Sequence, residues 1–527
     1  MTCRPPRLHL GLTESVCPVC LKTIPAERIA EGDTVLLAKS CPEHGSFAVP
    51  VWRGLDSWVT WGSAARAFAR PVATATEVEH GCPQDCGLCP EHRQQSCCVL
   101  LEVTSRCNIA CPLCFASAET HGADATLAEI DGWLETLAQG GRNVHVQLSG
   151  GEPTMRDDLP EIVARIRAAG FDFVQLNSNG IRIAREPAYL DRLAKAGLDC
   201  VFLQFDGVDD GVYERLRGAK LMRLKEQAIA NCGAAGIGCV LVPTVVPGVN
   251  DADIGAILDF AVAHMPAVRA VHFQPVSWFG RYPDANAELP RITLPEIIAA
   301  LIAHEGGTIA WNDFHPGSAE NPYCSFSGRF RVDDDGRLQP QAAAQSCCGT
   351  PIEAVAVPAS APSTTGCCGG TAAKAPAAPV AAPASACCGT SRPKSDAAGP
   401  NAAQPAIVSS EIASPDVARA RRYVAGQWRR PASTTEPATP GLDAFDRFLA
   451  TQDRILGLSG MAFQDAWTLD LDRLRQCHIH VVSPDRRVVP FCAWNLTAID
   501  GRPMHRPQHG QQPQPAASVA AADKAGL

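Results

Sequence analysis

The sequence predicts an α/β chain: a parallel sheet with helices outside it, forming a partial barrel or an open sheet, between a small metal-binding domain and a C-terminal auxiliary domain. Three observations carry that expectation. Between residues 99 and 315 short apolar runs alternate with amphipathic stretches; many of the 24 cysteines stand in spaced groups; and from about 342 to 440 the composition turns to Ala, Pro, Ser and Thr. Strand and helix in alternation imply crossover connections, which is how parallel sheets are built.

Residues 1–75 are expected to form the first unit. CPVC and SCPEHG supply Cys17, Cys20, Cys41 and His44, two knuckles around a strand-rich insert. That pattern suits a tetrahedral mononuclear site of zinc or iron, with Cys3 competing with His44 for the fourth place. A short domain needs such a staple. Residues 76–98 hold GCPQDCGLCPEH, in which Cys82, Cys86 and Cys89 point to an auxiliary iron–sulfur cluster; a zinc site completed by His92 is the alternative. Cys97 and Cys98 stand near enough in sequence to supply a fourth ligand, or to pack in a core.

Residues 99–341 form the core, with candidate strands CVLLEVTS, VHVQLSGG, DFVQLNSNG, CVFLQFDG, GCVLVPTVV and AVHFQPVSW. Segments such as LAEIDGWLETLAQGG and LPEIVARIRAAG, apolar at spacings of three and four, are the intervening helices. In such folds chemistry gathers at the C-terminal ends of the strands, where the polar motifs of this chain fall. Cys200, Cys232 and Cys239 lie singly among apolar neighbours and read as small buried hydrophobes.

Residues 342–440 read as a disordered linker. Within it SCCGT, GCCGG and ACCGT place vicinal cysteines at 347/348, 367/368 and 387/388, suited either to capture of a soft metal or metalloid or to repeat expansion without a role. Residues 441–505 return to structure and carry Cys477 and Cys492, which with Cys324 of NPYCSF are expected to hold a third cluster. Residues 506–527 read as a disordered tail.

A net charge of −9 offers no basic field for nucleic acid or an anionic membrane, so a small substrate or a protein partner is expected. No run approaches 18 uninterrupted apolar residues, and no positively charged leader precedes an apolar core; no transmembrane segment and a cytoplasmic location are expected. In that setting cysteines serve metals or redox chemistry before disulfides.

CNIACPLC, directly behind the first core strand, groups Cys107, Cys111 and Cys114. Three thiolates hold three irons of a [4Fe–4S] cube and leave the fourth iron open to an outside ligand. SGGEP (149–153), NSNG (177–180), QFDG (204–207) and YERLRG (213–218) follow in order at or just beyond strand ends. In these residues the chain resembles the radical SAM superfamily, although Leu113 stands where an aromatic residue commonly precedes the last cysteine. The resemblance implies a partial (β/α)6 TIM-like barrel, an open iron that chelates S-adenosylmethionine, and reductive cleavage to a 5′-deoxyadenosyl radical. It implies catalytic cluster ligands in Cys107, Cys111 and Cys114, and cofactor contacts from Ser149, Gly150, Gly151, Glu152, Asn177, Ser178, Asn179, Gln204 and Asp206. It also implies a low-potential electron donor such as ferredoxin or flavodoxin.

CPVCLKTIPA, GCPQDCGLCPEH and RVVPFCAWN extend the resemblance to a subgroup related to archaeal tetraether lipid synthase and to methylases of a hydroxymethyl-dihydropterin. That subgroup implies one or two auxiliary [4Fe–4S] clusters besides the S-adenosylmethionine-binding one. Ser318 stands where a further cysteine is expected, and the thiol-rich linker falls outside the pattern. The expected reaction is hydrogen abstraction from an unactivated carbon, leading to carbon–carbon bond formation or methylation on a lipid or other small molecule. Methylation of a small heterocycle such as a pterin is the alternative, and a thiol-rich metal or metalloid carrier or sensor is the reading from another class.

Overall fold

The computed structural model describes residues 7–63, 70–74, 76–282, 289–341, 415–429 and 454–507. Cys3, the three vicinal cysteine pairs and the tail beyond 507 lie outside them.

The N-terminal unit is an antiparallel meander of β1 (Arg7–Val16), β2 (Thr23–Glu31), β3 (Thr34–Cys41) and β4 (Gly45–Arg53), paired in that order. The β1–β2 and β3–β4 turns are the two knuckles, and Gly45 closes the second with φ of 80°, a left-handed conformation that glycine adopts without steric cost. Helix α1 (Leu55–Trp61) follows. Trp52, Trp58 and Trp61 are buried, and the Trp58 ring stacks on Tyr323 with centroids 3.6 Å apart, which seals the meander onto the rest of the chain.

All six candidate strands form: β5 (Cys98–Thr104), β6 (His145–Gly150), β7 (Val174–Ser178), β8 (Cys200–Gln204), β9 (Gly238–Val242) and, beyond a short β10 (Thr244–Val245), β11 (Val268–Pro275). β5 to β9 and then β11 pair in parallel. Their crossovers carry α2 (Leu127–Gln139), α3 (Leu159–Ala168), α4 (Ile181–Arg185), α5 (Pro187–Ala196), α6 (Asp210–Arg217), α7 (Met222–Ala234) and α8 (Ile254–Ala263). Helix α2 begins where a capping box predicts it: the Thr126 hydroxyl accepts from the Glu129 N–H, and the Glu129 carboxylate accepts from the Thr126 N–H.

The sheet then exceeds the expectation. After α9 (Leu294–His304) come β12 (Ser325–Val332), β13 (Leu338–Pro340), helix α10 (Pro415–Trp428), β14 (Ile455–Met461), β15 (Ile479–Val482) and β16 (Val488–Pro490). β14 joins β11 in parallel and β15 joins β5 in parallel, so the parallel run has eight strands rather than six. Antiparallel β12 and β16 flank that run, and the order β13-β12-β14-β11-β9-β8-β7-β6-β5-β15-β16 has two ends, as an open barrel does. Two boundaries are thereby corrected. Residues 454–507 are not a separate auxiliary domain but part of the same compact unit as the core. The stretch expected as linker contains α10, which is packed rather than disordered.

Side-chain alternation along the strands sets the two faces of the sheet. Val99, Leu101, Val103, Val146, Leu148, Val174, Leu176, Val201 and Leu203 bury against the helices in one core. The alternate positions, among them Glu102, Gln147, Ser149, Gln175, Asn177, Phe202 and Gln204, therefore line the opposite, inner face. At the N-terminal ends of the strands α10 closes that inner space: Trp428 packs with Phe173, Phe202, Val240 and Ala270, and Gln427 Nε2 donates to the Arg269 carbonyl at 2.9 Å. The strands open at their C-terminal ends, where the motifs gather.

Candidate functional site

The loop after β5 carries Cys107 and Cys111, both buried, and the half-buried Cys114. Its shape is fixed from outside. Cys114 exchanges both backbone hydrogen bonds with Arg281, and the Arg281 guanidinium donates to the carbonyls of Cys111 at 2.9 Å and Ala118 at 3.1 Å. Gly280 holds φ of 67°, and a Cβ there would meet the carbonyls of Cys114 and Phe115 at 2.4 Å. Burial pushes the Cys107 thiol up to about 12 and raises Cys111, although Arg217 pulls the latter back. Soft sulfur donors of this kind suit a cationic iron cluster, which takes the thiolate form.

The glycine-rich end of β6 serves this loop. Cβ atoms on Gly150 and Gly151 would strike the carbonyls of Thr104 and Arg106 at 2.1 and 2.2 Å, so these glycines let the chain close on the entry to the cysteine loop. Glu152, fully buried, spends both oxygens on its own chain: Thr154 N, Thr154 Oγ1 and Ser178 Oγ reach Oε1, and Asn179 N reaches Oε2 at 2.7 Å. The resemblance implies a cofactor contact from Glu152, and these contacts use it to hold the turn. Asn179 donates to Asn108 in the cysteine loop at 2.7 Å, which ties β7 to the same assembly. Asn177 Oδ1 accepts from Gln147 Nε2 at 2.5 Å and from Gln175 Nε2 at 3.3 Å, an amide cluster on the inner face.

Asp206 departs from its expected role as a cofactor contact. It is wholly buried and bound bidentately by Arg217, at 2.6 and 2.7 Å. Arg217 also donates to the Leu113 carbonyl at 3.2 Å, so Asp206 acts by holding an arginine against the cysteine loop. Sequence reasoning missed Arg217 as a site residue, although YERLRG had been singled out. It also missed Lys225, buried on α7, whose ammonium is held down to about 8 by burial and donates to the Asn179 carbonyl at 2.6 Å. Gln204 lies beside both, its amide oxygen placed to accept from Arg217 Nε at 2.9 Å.

The N-terminal quartet assembles fully. Among the described residues, ligand atoms of Cys17, Cys20, Cys41 and His44 all lie within 4.8 Å of one another. His44 Nδ1 stands 3.4 Å from Cys41 Sγ and 3.6 Å from Cys17 Sγ. Desolvation opposes ionisation of Cys41, but hydrogen bonds from His44 and from backbone N–H groups bring it to about 6. Three thiols and an imidazole at that separation match a tetrahedral mononuclear metal.

The remaining cysteines regroup. Cys82 and Cys86 interact directly, a contact that raises Cys86 further than burial does, and Cys477 adds to the same field. Burial raises the Cys477 thiol, and the neighbouring Cys492 and Cys324 raise it further. Buried Arg473 donates from Nε and Nη2 to Cys324 Sγ, both at 3.4 Å, and Cys492 Sγ accepts from Gln464 N at 3.3 Å. That guanidinium was not foreseen. His92 does not complete a converging metal set among the described residues; its Nε2 meets the Cys477 carbonyl at 2.8 Å, and burial lowers it to about 4. Cys97 packs with Ala319 and Val417, and Cys98 donates to Gln147 Oε1 at 3.3 Å, so both serve the barrel. The single cysteines Cys200, Cys232 and Cys239 are buried, as expected.

Comparison with known proteins adds identity to this geometry. Residues 101–261 match the family model described as the radical SAM superfamily, and residues 9–53 match an HMPTM N-terminal zinc ribbon domain. The chain is 31% identical over 493 residues to a 7,8-dihydro-6-hydroxymethylpterin dimethyltransferase of Methanocaldococcus jannaschii, covering 92% of this chain and 93% of that one. It is 28% identical to a GTP 3′,8-cyclase of Chlorobaculum tepidum, over 46% of this chain and 76% of the other. It is 35% identical to a PqqA peptide cyclase of Methylorubrum populi, over 34% of this chain and 47% of the other. Among the described residues no helix is long and apolar enough to cross a membrane.

Proposed function

This chain belongs to the radical SAM superfamily and is an enzyme of it, and from that premise we propose that it methylates a small polar heterocycle of the reduced-pterin class. One observation carries the choice over a lipid: the inner face of β5 to β8 bears Glu102, Gln147, Gln175, Asn177 and Gln204, with amide hydrogen bonds among them. An alkyl chain would offer this polar face no hydrogen bonds in exchange for the water it displaces. Any donor or acceptor left without a partner would cost about 1–3 kcal/mol, whereas a heterocycle supplies donors and acceptors. The substrate in the name of the Methanocaldococcus relative points the same way.

When bound at Cys107, Cys111 and Cys114, a [4Fe–4S] cluster supplies the electron that cleaves S-adenosylmethionine to methionine and a 5′-deoxyadenosyl radical, which takes hydrogen from carbon. The chain's own residues do the rest. Arg281 and Arg217 fix the loop from two sides through its carbonyls. Glu152 locks the β6 turn to β7 and so sets the strand ends against that loop. Trp428 and its neighbours close the far end of the barrel, which keeps water from a reactive centre. Cys82, Cys86 and Cys89, and Cys324, Cys477 and Cys492, would hold auxiliary clusters; Cys17, Cys20, Cys41 and His44 would hold zinc as a fold staple. A low-potential ferredoxin or flavodoxin in the cytoplasm would deliver the electrons.

The test uses reconstituted protein with a reductant, S-adenosylmethionine as radical source and a one-carbon donor for the new methyl group, either further S-adenosylmethionine or a methylene-bearing reduced pterin cofactor. One arm receives 7,8-dihydro-6-hydroxymethylpterin and the other an alkyl lipid. The expected result is 5′-deoxyadenosine with a methylated pterin, and no product from the lipid. A lipid product with an unchanged pterin would overturn the heterocycle reading and restore the lipid expectation.

A further inference from the structure

Glu102 stands on the inner face of β5, in register with Ser149 at the end of β6. Its carboxylate is occupied by a residue from the far end of the chain. Arg506 Nη1 donates to Oε2 at 2.9 Å, Arg506 Nη2 to Oε1 at 2.7 Å, and Trp494 Nε1 to Oε2 at 3.1 Å. Arg506 Nη2 also donates to Asn495 Oδ1 at 2.7 Å, and its guanidinium carbon lies 5.4 Å from the Trp494 ring centre. The guanidinium fits incompletely, since its Nε is buried without a hydrogen-bond partner. Glu102 and Arg506 retain 15% and 16% side-chain exposure, so the pair borders a space that solvent reaches.

Resting on the heterocycle reading, we infer that Glu102 and Asn495 form the recognition slot for a 2-amino-4-oxopyrimidine ring and that Arg506 is an internal stand-in which leaves when the ring arrives. The chemistry of the edge is the reason. Such a ring presents one N–H and one NH2 on nitrogens joined through a single carbon: three hydrogens for three acceptors. Arg506 uses that same pattern here, one hydrogen from Nη1 and two from Nη2, on Glu102 and Asn495. A carboxylate takes such a fork bidentately, and charge assistance makes the pair about twice as strong as a neutral one. Trp494 keeps Glu102 oriented after Arg506 departs and offers an aromatic face to a flat ring. Reduced pterins and guanine nucleotides share this edge, so the source is left to the experiment.

The experiment is titration calorimetry on reconstituted holoenzyme with three probes: 7,8-dihydro-6-hydroxymethylpterin, GTP, and a 2,4-dioxo analogue of the pterin that lacks the amino group. Iron content and unfolding temperature check that each variant folds. The wild type is expected to bind the aminated pterin at least about tenfold more tightly than the dioxo analogue. Glu102→Gln should lose roughly 10- to 100-fold for the aminated pterin and narrow that preference. Arg506→Ala, or Arg506→Met if packing on Trp494 is needed for folding, should bind the pterin more tightly, because the internal competitor is gone. If Glu102→Gln and both Arg506 variants weaken binding alike, the pair is structural and the inference falls while the methylase reading stands. Binding of GTP in place of the pterin keeps the slot and overturns the pterin substrate; a wild type that binds neither overturns both.

Discussion

Two cysteine centres in this chain start from similar spacings and end in different states. In the N-terminal meander, the turns at either end of paired strands bring Cys17, Cys20, Cys41 and His44 together until all four ligand atoms lie within 4.8 Å of one another. In the loop after β5, Cys107, Cys111 and Cys114 come from a single segment, and no such converging set forms there among the described residues. The difference lies in what surrounds each. Opposed antiparallel turns supply ligands from two directions, whereas a strand-end loop supplies three cysteines from one segment. A closed set holds a metal for the sake of the fold; an open one leaves a position for chemistry.

The largest expected effect separates the two centres outright. Cys107→Ala should bring 5′-deoxyadenosine formation to background while the metal in the N-terminal unit is retained, as elemental analysis of the purified variant would read. Cys41→Ser should do the reverse: the mononuclear metal is lost and the unfolding temperature falls, yet clusters elsewhere still form. Loss of all 5′-deoxyadenosine in a folded Cys41→Ser protein would break the comparison and give the N-terminal site a part in electron delivery. Trp428→Ala should cost about 3–5 kcal/mol of stability and raise the fraction of S-adenosylmethionine cleaved without product, because the base of the barrel opens. Arg281→Lys, which forfeits the paired bonds to the Cys111 and Ala118 carbonyls, should loosen the cysteine loop and speed cluster loss in air without touching the N-terminal metal. The smallest effect is Ser178→Ala. It removes one of the donors to Glu152, for about 1 kcal/mol by chemical unfolding, with metal content unchanged.

Much of this was legible because it is local. The six core strands announce themselves as apolar runs between helical periodicities, and the cysteine quartet by spacing alone. What escaped is non-local or chemically disguised. β14 and β15 complete the parallel run from more than 100 residues beyond β11, across a tract whose composition gives no register, so nothing in the sequence assigns them neighbours. Helix α10, PDVARARRYVAGQW, has too narrow an apolar stripe to stand out from its Ala-rich surroundings; its anchor is Trp428 at the very end. The family resemblance implies cofactor contacts from Asp206 and Glu152. Asp206 is instead neutralised by Arg217, eleven residues on, and Glu152 by donors from its own turn and from β7. The pairing of Glu102 with Arg506 joins residues 404 apart, beyond the reach of any spacing argument.

The most direct test of the central claim, that Cys107, Cys111 and Cys114 leave an open iron for S-adenosylmethionine, is electron paramagnetic resonance of the reduced, reconstituted protein with and without that cofactor, beside Cys107→Ala. The account predicts that S-adenosylmethionine shifts part of the reduced [4Fe–4S] signal in the wild type, and that both the shift and that part of the signal vanish in the variant. A wild-type spectrum indifferent to S-adenosylmethionine, with the cluster fully assembled and reduced, would contradict it.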